Sequence, residues 1–270
     1  VAGLRAFLTK RSDDLQKLVR EEKPGILGIL EHKLQDGKQV EETTESLESL
    51  LPEYRAALFH CAKEKKGYSG VLVLTRNDLA DDHGCVSTTR VQLEQGPDEG
   101  RTVLVDLPKV YVVVCYVLNS GDGLKRLAER VNVWDPELRQ YLKKLAKRKP
   151  VLLLGDLNVA HRDADIWNAE APHIPKTAAT TPEEREGFGK LLEAGFVDGF
   201  AQLHPEVTGA FTYWSVRAQN RKPNRGLRLD YAVVSRSMVD GSLGVTLADA
   251  FHLPEFAPAG DHCGGNAEAQ

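Results

Sequence analysis

Apolar side chains recur at Leu4, Phe7, Leu8, Leu15, Leu18 and Val19, a helical spacing over Leu4–Glu22 that breaks near Arg11-Ser12 and is ended by Pro24-Gly25. Ile26–Leu30 reads as a short buried strand, with Glu31-His32-Lys33 at its C-terminal end, a place suited to a functional loop. Residues 40–51 are acidic and helical in pattern, and residues 52–59 lead into a further strand. The turn Gly67-Tyr68-Ser69-Gly70 precedes an apolar strand at 71–74. Strands are predicted over 87–93, 101–107 and 109–117, the last two flanking Pro108 like neighbours in a meander. Residues 124–146 read as one charged helix, and 151–154 as a fully apolar strand that ends in Gly155-Asp156-Leu157-Asn158. An irregular stretch, 161–181, leads to Thr181-Pro182-Glu183-Glu184, where an N-cap, a first-turn proline and early acids open a helix through Ala194. Strands are predicted at 211–216 and 229–235, and no buried strand is expected in 264–270, which carries no apolar pattern.

Strands outnumber helices and often follow one another, which predicts a layered α/β or α+β sandwich rather than a strict βαβ repeat. No repeat or low-complexity linker divides the 270 residues, so one domain over 1–270 with a sizeable core is expected. Hydrophobic residues at 41% and charged residues at 27% exclude disordered and collagen-like classes. With 35 Lys and Arg against 39 Asp and Glu, a nucleic-acid face has to be local. The apolar runs at 111–114 and 151–154 are far shorter than the roughly 20 residues of a membrane helix, so no membrane partner is expected. Cys61, Cys85, Cys115 and Cys263 are scattered without CxxC spacing, which suggests neither a zinc site nor a disulfide scaffold and makes a reducing compartment the default. The first residue is Val, and the natural start is expected to lie upstream.

Several side chains at strand ends could carry chemistry. Asp156 offers a carboxylate to orient or deprotonate water and Asn158 both a donor and an acceptor, although the same residues also make ordinary turns. Asp261-His262 sets a carboxylate fit for a hard cation beside an imidazole fit for general-acid work, or is a solvated loop. Glu31 is either a solvated strand cap or a cation ligand. Asp230 lies in an apolar strand and wants an imidazolium or guanidinium partner, for catalysis or as a structural ion pair. Tyr116 and Asn119, at another strand end, could bond phosphate oxygens or simply pack and turn. Arg217, Arg221, Lys222, Arg225 and Arg228, with Tyr213 and Trp214 alongside and no acid between, form a local phosphate-facing footprint or an exposed basic loop. The cluster at 143–149 reads as a solvated helix face.

In order along the chain, these blocks resemble the exonuclease III/apurinic endonuclease family of DNA repair phosphodiesterases, within the wider endonuclease/exonuclease/phosphatase superfamily. The resemblance runs from Gly3-Leu4-Arg5-Ala6 through residues 26–33, 67–71, 116–121 and 155–161, then through 181–188, Phe211-Thr212-Tyr213-Trp214 and Arg228-Leu229-Asp230-Tyr231 to Asp261-His262. The stretch at 155–161 and the Arg-Leu-Asp-Tyr block look like the eukaryotic type of abasic-site endonuclease. The resemblance implies a four-layered α/β sandwich of two packed mixed sheets flanked by helices, with strand-end loops meeting at one cleft. It implies hydrolysis 5′ to an abasic site in duplex DNA during base excision repair, with 3′-5′ exonuclease and 3′-phosphodiesterase work as accessories.

On the same resemblance Glu31, with Asp261, would hold Mg²⁺ or Mn²⁺, Asp156 would position or deprotonate water with Asn158 orienting it, and His262 would bond a non-bridging oxygen while Asp230 fixes its tautomer. Tyr116 and Asn119 would complete the phosphate cradle, and Tyr213, Trp214 and Leu227 would line a pocket for the extruded sugar. Lys33, Tyr68, Arg217, Arg221, Lys222 and Arg225 would contact DNA. A monomer in the nucleus is the family default, with mitochondrion or plastid as alternatives.

The sequence departs from the family at Ala2, where a polar residue is usual, at Leu30, where Gln is usual, and at Asp122, where relatives often have Arg. The first strand and the closing strand after Cys263 are expected to be missing. Two other readings are a superfamily phosphodiesterase acting on RNA or lipid and an inactive DNA-binding relative. Active chemistry requires Asp156 and His262, more than a hundred residues apart in sequence, to come within about 10 Å so that one hydrogen-bond network can serve both.

Overall fold

The structure is a computed structural model that describes residues 3–79, 86–256 and 262–269. It divides into two compact units, Val1–Gln92 with Pro97–Tyr116, and Leu93–Gly96 with Val117–Gln270.

In the first unit, α1 (Leu4–Glu22) leaves helical geometry at Arg11, with φ −147° and ψ 27°, where the apolar spacing breaks. It stops on left-handed Lys23, because the residue before a proline is driven out of the helical region. Strands β1 (Ile26–Leu30), β2 (Tyr54–His60) and β3 (Val71–Arg76) form an antiparallel sheet in the order β1-β3-β2. Central β3 is buried from Val71 through Thr75, which explains its apolar run without alternation, whereas in β1 only Ile29 is fully buried. Helices α1 and α2 (Lys38–Leu50) cover one face, where Leu4, Leu15, Val19 and Leu47 pack with Ile29, Phe59, Leu72 and Leu74. The other face packs on the antiparallel meander β4 (Ser87–Arg90), β5 (Thr102–Asp106) and β6 (Tyr111–Tyr116). At Gly28 a Cβ would fall 2.6 Å from Val114 Cγ1, so a side chain there would force Val114 to shift.

In the second unit, β9 (Asp230–Ser235) pairs antiparallel with β7 (Val151–Asp156) on one side and β8 (Phe196–Asp198) on the other. The single helix predicted over 124–146 is instead a 3₁₀ turn at Asp122–Leu124, a helical turn at Leu127–Glu129, a π turn at Arg130–Trp134 and then α3 (Asp135–Ala146). The Asp135 N–H bonds the Arg130 carbonyl five residues back, and the next residue, Pro136, has no N–H to carry the α-spaced ladder through. Helix α4 (Pro182–Glu193) opens on a capping box, in which Thr181 Oγ1 accepts from the Glu184 N–H (3.2 Å) and Glu184 Oε2 from the Thr181 N–H (3.2 Å). Its Phe188 rests 4.9 Å from the ring of Tyr231 on β9. Asp198 caps the short helix α5 (Gly199–Leu203) through the Ala201 N–H (3.2 Å).

Two expectations are corrected here. The strand predicted at 211–216 does not form; Tyr213 alone makes isolated bridges, to Leu227 and to His262. Phe211 and Trp214 instead turn into a small cluster with Cys263, which breaks the two-residue alternation a strand needs. Conversely, the chain after Cys263 does supply a strand: β11 (Gly264–Ala269) pairs antiparallel with β10 (Leu247–Leu253). Its outer positions are exposed and its pairing uses backbone groups alone, which is why no apolar pattern announces it. The α/β class stands, with sheets flanked by helices.

Candidate active site

Strand β7 ends at Asp156 and β9 begins at Asp230, and the two are direct cross-strand partners. Asp156 is 4% exposed, and its Oδ1 accepts the N–H of Asn158 (2.8 Å), a residue held at φ 48° in the turn after the strand. Opposite it, the Thr212 hydroxyl accepts the backbone N–H groups of Leu229 (2.9 Å) and Asp230 (3.0 Å), fixing the start of β9. The sequence pattern gave Thr212 no role beyond its place in an aromatic block.

His262 stands between the two carboxylates. Its Nδ1 lies 2.9 Å from Asp230 Oδ2 and its Nε2 3.7 Å from Asp156 Oδ2. The expected meeting of Asp156 and His262 therefore occurs, well inside the 10 Å limit. The imidazole packs 5.0 Å from the Tyr213 ring, and the Cys263 N–H bonds the Thr212 carbonyl (2.8 Å), so the backbone on either side of the ring is tied to residues 212 and 213. A ring that gives its Nδ1 proton to Asp230 turns Nε2 toward Asp156 and any group bound beside it.

The two asparagines named from the sequence also come together. Asn119 Nδ2 donates to Asn158 Oδ1 (2.7 Å), and Asn158 Nδ2 donates to the Val117 carbonyl (2.8 Å). Beneath them lies Arg130, 2% exposed and not singled out from the sequence. Its Nη1 donates to the carbonyls of Leu118 (2.9 Å) and Asn158 (2.6 Å), and its Nη2 to that of Leu157 (2.7 Å). Glu184, fully buried, lies 3.5 Å from the same guanidinium and accepts the Ser120 hydroxyl (2.5 Å). One cation thus holds both asparagine-bearing loops.

The late loop is more structural than expected. Trp214 is buried, donates Nε1–H to Asn224 Oδ1 (3.0 Å) and lies under the Arg221 guanidinium (4.3 Å), which also donates to the Pro254 carbonyl (2.7 Å). Leu227 is bridged to both Tyr213 and Ile166, while Arg217, Lys222 and Arg225 are exposed. Arg228 is a correction to the basic footprint: it is 1% exposed and bonds Asp165 (2.9 and 3.0 Å) and Asp198 (3.1 and 2.6 Å), so it faces two buried acids instead of solvent.

Candidates of the first unit are arranged around two anchors. Glu31 leaves β1 at φ 56°, and its carboxylate meets the Lys33 ammonium at 3.2 Å. Between them in sequence, His32 points inward, accepting the Leu34 N–H at Nδ1 (3.0 Å) with Nε2 3.3 Å from the His60 carbonyl. The second anchor is Arg101, 2% exposed, which bonds Glu99 (2.7 Å), the Tyr116 carbonyl (3.1 Å) and the Tyr68 hydroxyl (3.1 Å). Its plane lies 4.9 Å from the Tyr116 ring, so a buried cation sets both tyrosines. Glu99 precedes and Arg101 opens the strand predicted over 101–107, and charged residues at a strand end normally read as solvent-facing, so neither stands out in the sequence.

Asp261, Ala2 and Cys85 lie outside the described residues. Among the described residues no group of three or more His, Cys, Asp or Glu gathers as a ready-made metal site. The donors that are present suit a hard divalent ion: Glu31 offers carboxylate oxygens, and the ammonium 3.2 Å away marks a place where positive charge is accommodated.

The end of the β7–β9 pair thus brings Asp, Asn, Asp and His together, a set of groups for general acid–base chemistry. Residues 4–262 match the family model described as the Endonuclease/Exonuclease/phosphatase family, and the chain belongs to that family. It is 38% identical over 97% of its length to the DNA repair nuclease APEX1 of Danio rerio, covering 78% of that protein. It is 37% identical to the exodeoxyribonuclease of Bacillus subtilis, with 94% of each chain covered. Among solved structures, the AP endonuclease LMAP of Leishmania major superposes with a TM-score of 0.84 at 30% identity, over 99% of this chain and 84% of that one. These relatives are nucleases, and nucleases of this family depend on a divalent metal ion.

Proposed function

We propose that this chain is a Mg²⁺-dependent endonuclease that cleaves duplex DNA on the 5′ side of an abasic site, leaving a 3′-hydroxyl and a 5′-deoxyribose phosphate. The observation that carries this reading is the Asp230–His262–Asp156 arrangement, one imidazole bonded to one carboxylate at 2.9 Å and facing a second at 3.7 Å. Its support from kinship is the match to DNA repair nucleases over nearly the whole chain.

Asp156 accepts a proton from, or orients, the attacking water, and the Asn158–Asn119 pair fixes the loop beside it. His262, polarised by Asp230, donates to a non-bridging phosphate oxygen as negative charge builds there. The Arg101-braced phenol of Tyr116 adds a further donor. Glu31, with Asp261, would hold the metal ion, whose chemistry is to offset charge on the phosphate and the leaving 3′-oxygen. Tyr213 and Leu227 line the place for the extruded sugar, and Lys33, Tyr68, Arg217, Lys222 and Arg225 meet the backbone of the DNA.

The test is a duplex containing one tetrahydrofuran analogue, incubated with Mg²⁺ and separately with EDTA, beside RNA and phospholipid substrates. Metal-dependent nicking confined to the analogue supports the proposal. Binding without nicking, or cleavage of RNA or lipid alone, overturns it.

A further inference from the structure

Trp167 is 44% exposed, whereas Trp134 and Trp214 are 3% and 5% exposed. Packing does not explain its indole. The preceding residue, Ile166, is 4% exposed and carries the hydrophobic contacts of this segment, with Ala160, Ile174, Ala179 and Leu229. Adjacent residues of extended chain point to opposite sides, so anchoring Ile166 turns Trp167 outward. Both are fixed in place, Ile166 by its bridge to Leu227 and Trp167 by donating its N–H to the Gly226 carbonyl (3.1 Å).

The exposed ring has company suited to nucleic acid. The Arg225 guanidinium lies 5.1 Å from its centroid, and Lys222 and Arg217 belong to the same exposed loop. The backbone that carries the ring is also linked to the active site, through bridges from Ile166 to Leu227, Leu227 to Tyr213 and Tyr213 to His262. Three steps of at most about 4.8 Å each keep Ile166, beside Trp167, within about 14 Å of His262. That span is no more than about four base steps of duplex at ~3.4 Å each.

We infer that Trp167 and Arg225 form a stacking platform for a nucleobase, one left unstacked where the duplex is distorted a few nucleotides from the abasic site. An aromatic face binds a base irrespective of its identity, and the neighbouring guanidinium adds a cation to the stack and attracts the flanking phosphate. The platform thus contributes affinity for distorted DNA without sequence preference. This inference rests on the nuclease reading above.

With two tryptophans buried, the emission that acrylamide quenches in the free protein comes from Trp167. In EDTA, so that nothing is cleaved, a tetrahydrofuran duplex is expected to shield that emission. Trp167→Ala is expected to raise Kd for this duplex about ten-fold while leaving the slope of log K against log salt unchanged, since no phosphate contact is lost. Trp167→Phe, which keeps an aromatic face, recovers most of the affinity and guards against misfolding as the cause. Unchanged affinity in Trp167→Ala, or emission that stays accessible in the complex, overturns the platform while leaving the nuclease reading intact. Failure of the wild type to bind the duplex at all overturns both.

Discussion

Asp156 and Asp230 face each other directly across the β7–β9 pair, an arrangement in which like charges oppose each other, with His262 set between their carboxylates. Opposed like charges on a sheet are destabilising by a few tenths to about 1 kcal/mol, so the site is held together against a local cost. Asp156→Asn removes one charge yet keeps an oxygen to accept the Asn158 N–H. It is expected to lower turnover by roughly 10²–10⁴-fold while leaving stability equal or slightly higher. Single-turnover cleavage of a tetrahydrofuran duplex and a urea melt, run on the same preparation, check both halves. Near-normal cleavage would remove Asp156 from the mechanism.

Arg130 offers a prediction of a different kind because it touches no substrate. Its guanidinium joins the carbonyls of Leu118, Leu157 and Asn158 to Glu184, so Arg130→Ala strands a buried carboxylate and three carbonyl groups. Removing one partner of a buried ion pair typically costs about 3–5 kcal/mol. Arg130→Lys keeps the charge but lacks the planar fork that reaches two loops at once. That variant is expected to fold, to bind the abasic duplex with Kd near wild type, and to lose about ten-fold in single-turnover rate, because Asn119 and Asn158 are no longer held in register. A purely stabilising role would leave the rate of the folded Lys variant unchanged.

How far the site could be read from the sequence follows from what each residue owes to local pattern. Asp156 was legible because the apolar run before it ends in a Gly-Asp-Leu-Asn turn, and Glu31 because it follows the short strand β1. The pairing of Asp230 with His262 was legible only through family resemblance, since nothing local in residues 230 or 262 specifies a partner 32 positions away. Arg130 and Arg101 give no signal of their own and Arg228 reads as part of a basic loop, because a buried arginine is indistinguishable in a one-dimensional pattern from an exposed one. The break before Pro136 is hidden in the pattern because the chain is helical on both sides of it, with Leu138, Leu142 and Leu145 buried at helical spacing in α3. Strand β11 escaped because it depends on β10 for its backbone bonds and buries none of the side chains at 265–269 fully.

The buried ion cluster around Arg228 should govern the integrity of the second unit. Burial would raise the Asp165 carboxyl, yet the guanidinium hydrogen bonds of Arg228 and Arg162 hold it below the usual carboxylate range. Arg228→Met leaves Asp165 and Asp198 both buried and loses the contact with the Tyr231 ring, 4.3 Å away. A loss of about 3–5 kcal/mol is expected, measured as a fall in the urea midpoint. Adding Asp165→Asn and Asp198→Asn to that variant removes the stranded charges and should restore part of the loss. A triple variant no more stable than the single one would show that packing, not charge, sets the effect.

His32 carries a prediction about acid stability. It is 1% exposed, and burial pushes its imidazole down from 6.5 to about 4. With Nδ1 accepting the Leu34 N–H, its single proton sits on Nε2, facing the His60 carbonyl (3.3 Å), and a second proton has nowhere to go. The ring is enclosed by Gly70, at φ 94°, where a Cβ would lie 2.4 Å from His32 Cε1. Between pH 6.5 and 4 the unfolded chain binds a proton at this position and the folded chain does not. The stabilisation is therefore complete above pH 6.5 and is lost as pH falls toward 4, by about 3 kcal/mol in all. Burial also pushes His252 down to about 4, so it adds to the same slope. Urea melts at pH 7, 6 and 5 should give a falling stability for the wild type. His32→Asn should be less stable at pH 7 but lose less on acidification, and equal slopes for the two proteins would show that His32 does not carry the acid limb.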